Sequence, residues 1–171
     1  IEVGTLAVHS GSGVYLQQLI PGGNLLVDHV PGAKAVRVEQ VNFNSTRDDV
    51  TRGTQRPLED VVTTAGPVKI AVRGGSLTVN DGNGNDGVGV SAGGAGDVLL
   101  VASADVVATA SVTSDTGNIE IRAGHDLTSH AAIRTAGDGS VFLSVANNLN
   151  LTSATDTLNG DILLVTGNDL S

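Results

Sequence analysis

From Asp81 to Gly87 the chain reads Asp-Gly-Asn-Gly-Asn-Asp-Gly, so side-chain oxygens at Asp81, Asn83, Asn85 and Asp86 are interleaved with glycines. Carboxylate and amide oxygens on a tightly turning backbone are the donor set that a hard cation such as calcium takes. The simpler reading of the same residues is an Asx-rich turn, because Asp and Asn bond their own backbone and tolerate left-handed conformations.

Charge is also concentrated in residues 44–65, where Arg47, Asp48, Asp49, Arg52, Arg56, Glu59 and Asp60 are seven of the chain's 27 Lys, Arg, Asp and Glu residues. The sequence predicts a long protruding loop there, with a short helical turn near residues 57–62. Long loops of this kind are solvated or carry function. The functional reading makes Arg47, Asp48, Asp49, Arg52 and Arg56 partner contacts.

A third set, Asp105, Asp126, Asn148 and Asp169, recurs at nearly constant spacing. Stacked carboxylates repel one another unless a cation or hydrogen bonds intervene. The simpler expectation is that these corner residues bond their own turns. The four histidines, His9, His29, His125 and His130, form no zinc-ligand spacing and read as surface residues.

Nothing assembles into a catalytic constellation. From Gly66 onward the bases are Lys69, Arg73, Arg122 and Arg134 against eleven acids, and aromatic platforms for sugars are scarce. The expectation is therefore no enzyme, with a polysaccharide lyase or hydrolase as the alternative. No cofactor is expected apart from the calcium candidate.

The elements that position these residues follow from composition and period. The chain has 171 residues, with 23 Gly, 1 Tyr, 2 Phe, and no Cys, Met or Trp, while 40% of residues are apolar. A core made of Val, Leu, Ile and Ala without large aromatics has to be narrow and built from thin repeated layers. The absence of cysteine rules out disulfides and Cys-ligated zinc. A net charge of −9 argues against nucleic-acid partners, and no apolar run is long enough for a transmembrane helix. Starting at Ile1, the chain reads as a fragment or a processed product.

Glycine-led units begin at Gly96, Gly117, Gly139 and Gly160, at intervals of 21, 22 and 21 residues. Their apolar positions align in columns. Val98, Ile119, Val141 and Ile162 form the first, and Leu100, Ile121, Leu143 and Leu164 the second. Ala102, Ala123, Val145 and Thr166 form the third, and Val106, Leu127, Leu149 and Leu170 the fourth. Period-two alternation marks strands with one face inward, and the leading Gly and the Asx positions mark corners. A third short strand is expected near residues 110–112 and 131–133.

The fold class expected is all-β, a single-stranded parallel β-helix (β-solenoid) with about 21–22 residues per coil. Regular coils are assigned to 66–171, with an earlier coil at Gly66 carrying an insertion at 80–95. Residues 1–65 are assigned as irregular first coils or a capping region, with the charged loop at 44–65.

The units from Gly96 to Ser171, with Gly66–Val79 as a weaker member, resemble the repeats of giant bacterial exoproteins of the filamentous-haemagglutinin type of β-helix adhesin. That resemblance covers about half the chain. It implies a right-handed β-helix, export, and a role in adhesion, biofilm or surface structure. Gly82, Gly84, Asp86 and Val88 are also similar to the nonapeptide of calcium-binding β-rolls, although that family stacks many copies and this chain has one. An EF-hand loop starts with Asp81, Asn83 and Asn85 but fails at Asp86, where glycine is needed, and at Ala92, where glutamate is needed.

The function expected is a structural or adhesive segment of a secreted bacterial surface or extracellular fibre protein. Its expected partners are further copies end to end, or cell-surface or matrix glycans or proteins. The alternative is a carbohydrate-active β-helix domain.

Overall fold

The computed structural model describes residues 3–31 and 58–171 in full, together with the backbone strands Val36–Phe43 and Asp48–Thr54. The chain is an all-β parallel solenoid whose three faces are parallel sheets of six strands each. Sheet 1 stacks Val14–Gln18, Val68–Val72, Val98–Ala102, Ile119–Ala123, Val141–Val145 and Ile162–Thr166. Sheet 2 stacks Thr5–Leu6, Leu25–Val27, Leu77–Val79, Val106–Ala108, Leu127–Ser129 and Leu149–Leu151. Sheet 3 stacks Val8–Ser10, Val61–Thr63, Val88–Ala92, Ser111–Ser114, Ile133–Thr135 and Thr155–Thr157. The chain visits sheets 1, 2 and 3 in turn and then climbs one coil.

Strand registers reproduce the sequence columns. Val98 lies on Val68, Ile119 on Val98, Val141 on Ile119 and Ile162 on Val141. Val14 extends this column below Val68. Inward residues such as Ile70, Leu100, Ile121 and Leu143 are fully buried and form one continuous apolar core. Each Val, Leu or Ile buried in this way contributes about 1.5–3 kcal/mol. A one-residue slip would turn a strand's apolar set outward, so the core fixes the register.

The glycine column has a steric cause. A Cβ on Gly96 would strike the carbonyl oxygen of Gly66, one on Gly117 that of Gly96, one on Gly139 that of Gly117, and one on Gly160 that of Gly139. The corner between sheets 3 and 1 thus packs backbone directly on backbone. Small hydroxyl residues stand beside it. Buried Ser114 donates to the Gly96 carbonyl (2.8 Å) and accepts from the Gly117 amide (2.9 Å). Thr63 and Thr157 likewise donate to the carbonyls of Gly66 and Gly160.

The first residues are more regular than the sequence suggests, since strands of all three sheets are in place by Leu25–Val27. The segment expected as a loop contains two strands. Asp48–Thr54 pairs antiparallel with Val36–Phe43, and Val61–Thr63 belongs to sheet 3. In place of a helical turn near 57–62, Leu58 bridges Val30 and the chain then enters sheet 3. The expected insertion at 80–95 shortens to residues 80–87, because Val88–Ala92 pairs with both Val61–Thr63 and Ser111–Ser114.

Replacing Gly117 with Ala should lower stability by about 1–3 kcal/mol or more, the cost of overpacking a closed contact. Gly11→Ala should be neutral, as nothing lies within 4 Å of a Cβ there. Urea midpoints of the two variants check the contrast.

Candidate functional site

Both departures from the regular coil occur at the corner between sheets 2 and 3. In one coil, residues 28–60 lie between Leu25–Val27 and Val61–Thr63 and carry the antiparallel hairpin. In the next, residues 80–87 lie between Leu77–Val79 and Val88–Ala92. These coils are direct neighbours, because Leu25 pairs with Leu77 and Val61 with Val90. Farther up the stack the corner shortens to Thr109–Ala110.

The 80–87 turn folds down onto the coil below it. Glu59 Oε2 accepts the Asn83 amide at 2.7 Å. Asn80 donates its side-chain amide to Asp28 Oδ2 at 3.0 Å, and Asp28 Oδ1 accepts the His29 amide at 2.6 Å. Asp86 Oδ1 accepts the Val88 amide at 2.9 Å, which caps the returning strand. The glycines of the motif make room for this approach, since a Cβ on Gly82 or Gly84 would meet the Glu59 carboxylate at 2.7 or 2.6 Å.

Of the calcium candidates, Asp81 is partly buried and its Oδ1 has no hydrogen-bond partner. Asn83 and Asn85 are exposed, and Asn85 holds a left-handed conformation (φ 51°). Asp86 is exposed and engaged by Val88. Of the partner candidates, Arg47 and Arg56 lie outside the described residues. Asp48, Asp49 and Arg52 fall on the second hairpin strand, opposite Phe43, Asn42 and Val38.

The fold adds residues that the motif did not contain. Asp28 follows the sheet 2 strand, and Glu59 and Asp60 precede the sheet 3 strand of the same coil. Asp60 is only 3% exposed, has a positive φ of 65°, and leaves its Oδ1 without a partner. Burial raises its pKa to about 7, helped by the negative charges of Asp86, Glu59, Asp81 and Asp28. Glu59 and Asp60 read in sequence as part of a charged loop. Only folding residues 58–63 into sheet 3 would have placed them against the Asp81 turn.

The recurring Asx column has a structural explanation. Each side chain accepts the backbone amide of the next coil, and not of its own turn as expected. Asn24 holds Ser76 (2.9 Å), Ser76 holds Asp105 (3.2 Å), Asp105 holds Asp126 (3.1 Å), Asp126 holds Asn148 (3.0 Å) and Asn148 holds Asp169 (3.4 Å). The exposed His125 ring lies between two of these acids, with Nδ1 3.0 Å from Asp105 and 3.1 Å from Asp126. Asp126 also accepts from the Asn148 amide and the Asn147 side chain. These bonds, with His125 beside it, hold its pKa below the usual carboxylate value. Asp105, His125 and Asp126 gather three possible ligand atoms within 4.8 Å, the one such group among the described residues.

No family model, curated protein or solved structure matches the chain.

The two perturbed acids act on stability in opposite senses. Asp60 binds its proton more tightly folded than unfolded, so its contribution is full below an unfolded pKa of about 4 and is lost as pH rises through about 7. Asp126 contributes above its unfolded pKa and loses that contribution as pH falls through its lowered folded value. His9 bonds the Glu59 carbonyl and His29 adjoins Asp28, so two imidazoles stand close to the same corner. The comparison is therefore made between variants. Asp60→Asn, which suits a positive φ, should flatten the fall in melting temperature between about pH 4 and about pH 7. A melting series across pH on both proteins checks it.

Proposed function

We propose that this chain is a structural or adhesive segment of a secreted bacterial surface or extracellular fibre protein. The observation that supports this most is the stacking of three parallel six-stranded sheets, reinforced by a side-chain ladder running from Asn24 to Asp169. In such a stack each coil contacts its neighbours alone, so stability propagates along one axis and length can grow without a new core. A chain organised this way projects or connects. The outward face of sheet 3 adds Arg134, paired with Asp156 of the next coil through two bonds of 3.0 and 3.1 Å. An exposed pair of this kind contributes little energy and keeps the face hydrophilic. Among the described residues, no helix is long and apolar enough to cross a membrane.

The last coil leaves part of its cross-section open. Ile162 is 44% exposed, whereas Val141 in the same column is 1% exposed. Unpaired strand edges with apolar residues favour the addition of further strands. An edge of this kind takes a further coil, whether of the same chain or of a second copy, and copies added head to tail would generate rods.

A second reading, a carbohydrate-binding or carbohydrate-cleaving domain, rests on one surface groove. There the chain's one tyrosine, Tyr15, is 68% exposed and sits beside Lys69 and Arg73 on the outer face of sheet 1.

Electron microscopy over a concentration series should show rods that lengthen with concentration. Single particles of constant size at every concentration would end the self-association reading. Turnover of any member of a panel of neutral and acidic polysaccharides would favour the second reading over the first.

A further inference from the structure

Five acidic residues flank the corner where the 80–87 turn lies on the coil below. Asp28, Glu59 and Asp60 come from the lower coil, and Asp81 and Asp86 from the turn. Among the described residues none of the five is ion-paired to a basic side chain. A cluster of acids alone would say little, because surface acids are commonly solvated. Here, however, Asp60 is only 3% exposed, and its Oδ1 has no hydrogen-bond partner among the described residues. Asp81 Oδ1, also shielded from solvent, has no partner among the described residues either. A buried carboxylate oxygen without a donor carries its full desolvation cost. Surrounding it with four further acids raises that cost unless positive charge is supplied, and among the described residues no basic side chain supplies it.

We propose that this corner is a divalent-cation site of the calcium class, with Asp60 and Asp81 as its central ligands and Asp28, Glu59 and Asp86 completing an all-oxygen shell. The peripheral acids are already oriented by the hydrogen bonds they accept. Glu59 Oε2 is held by Asn83, Asp86 Oδ1 by Val88, and Asp28 by Asn80 and His29. Among the described residues no donor is bonded to Oε1 of Glu59 or Oδ2 of Asp86. Bonds of this kind set ligand direction in metal sites.

An all-oxygen, all-carboxylate donor set selects hard cations over zinc or copper. An irregular turn with glycines at 82, 84 and 87 suits the adaptable shell of calcium better than the strict octahedron of magnesium. No three of these residues bring carboxylate oxygens within 4.8 Å of one another. Ligation therefore draws the 81–87 turn onto Asp60 and clamps two coils together. The site keeps Asp81 and Asp86 of the sequence motif and takes its other ligands from the neighbouring coil in place of Asn83 and Asn85.

The test is calorimetric titration of the full chain with calcium chloride, together with melting curves in calcium and in chelator. The expected result is saturable heat and a melting temperature raised by calcium. Asp60→Asn and Asp81→Asn should each weaken binding by about tenfold or more, because ligand charge sets calcium affinity. His125→Ala should leave binding unchanged. Should Asp60→Asn fail to fold by circular dichroism, Asp81→Asn, on the partly exposed turn, gives the same reading. Absence of both heat and thermal shift in the unaltered chain overturns the site. So does binding that survives Asp60→Asn and Asp81→Asn but is lost in His125→Ala, which would put the ion on Asp105, His125 and Asp126.

Discussion

Each coil can lie directly on the one before it only because a glycine stands at the corner between sheets 3 and 1. There the carbonyl of one coil's glycine occupies the space where the next coil's Cβ would be. With that approach permitted, the strands on either side come within ladder distance and the apolar columns close over one another. The hydroxyls of Thr63, Ser114 and Thr157 then bind the corner carbonyls that the tight turn leaves inside. The rest of the architecture follows from that contact, including the narrow core that has no need of large aromatics.

Polar side chains carry out the same coil-to-coil bonding at the other corners. Along the Asn24–Asp169 line, an oxygen on each coil accepts the amide of the next, and Asp97, Asn118 and Ser140 repeat the device near the glycine column. This explains why Asp, Asn and Ser exchange freely at these positions. Each offers a side-chain oxygen, Oγ or Oδ1, that reaches the amide of the next coil, and the charge is incidental. Where two acids do fall in succession, at Asp105 and Asp126, the His125 ring stands between them.

The regular coils were legible because their signal is repeated. Val98, Ile119, Val141 and Ile162 recur at intervals that noise does not reproduce, and the strand registers follow them residue for residue. Single occurrences were harder to read. Val61–Thr63 lacks a leading glycine and follows two acids, so it looked like loop. Val88–Ala92 hid its alternation in a glycine-rich run, where small residues fill inward positions. Asp60 was the least legible residue of all. The turn that lies beside it, bonded through Asn83 to Glu59, is more than twenty residues away in sequence, which no local pattern encodes.

The corner between sheets 2 and 3 is spanned by residues 28–60 in one coil, 80–87 in the next and Thr109–Ala110 in the one after, while the flanking strands keep their partners throughout. Length at this edge of the prism is therefore decoupled from the stack. The fold has, in effect, a port through which segments of very different size can be displayed at a fixed height along the axis. A foreign peptide spliced between Ala108 and Ser111 would emerge beside the acidic corner with the scaffold beneath it unaltered.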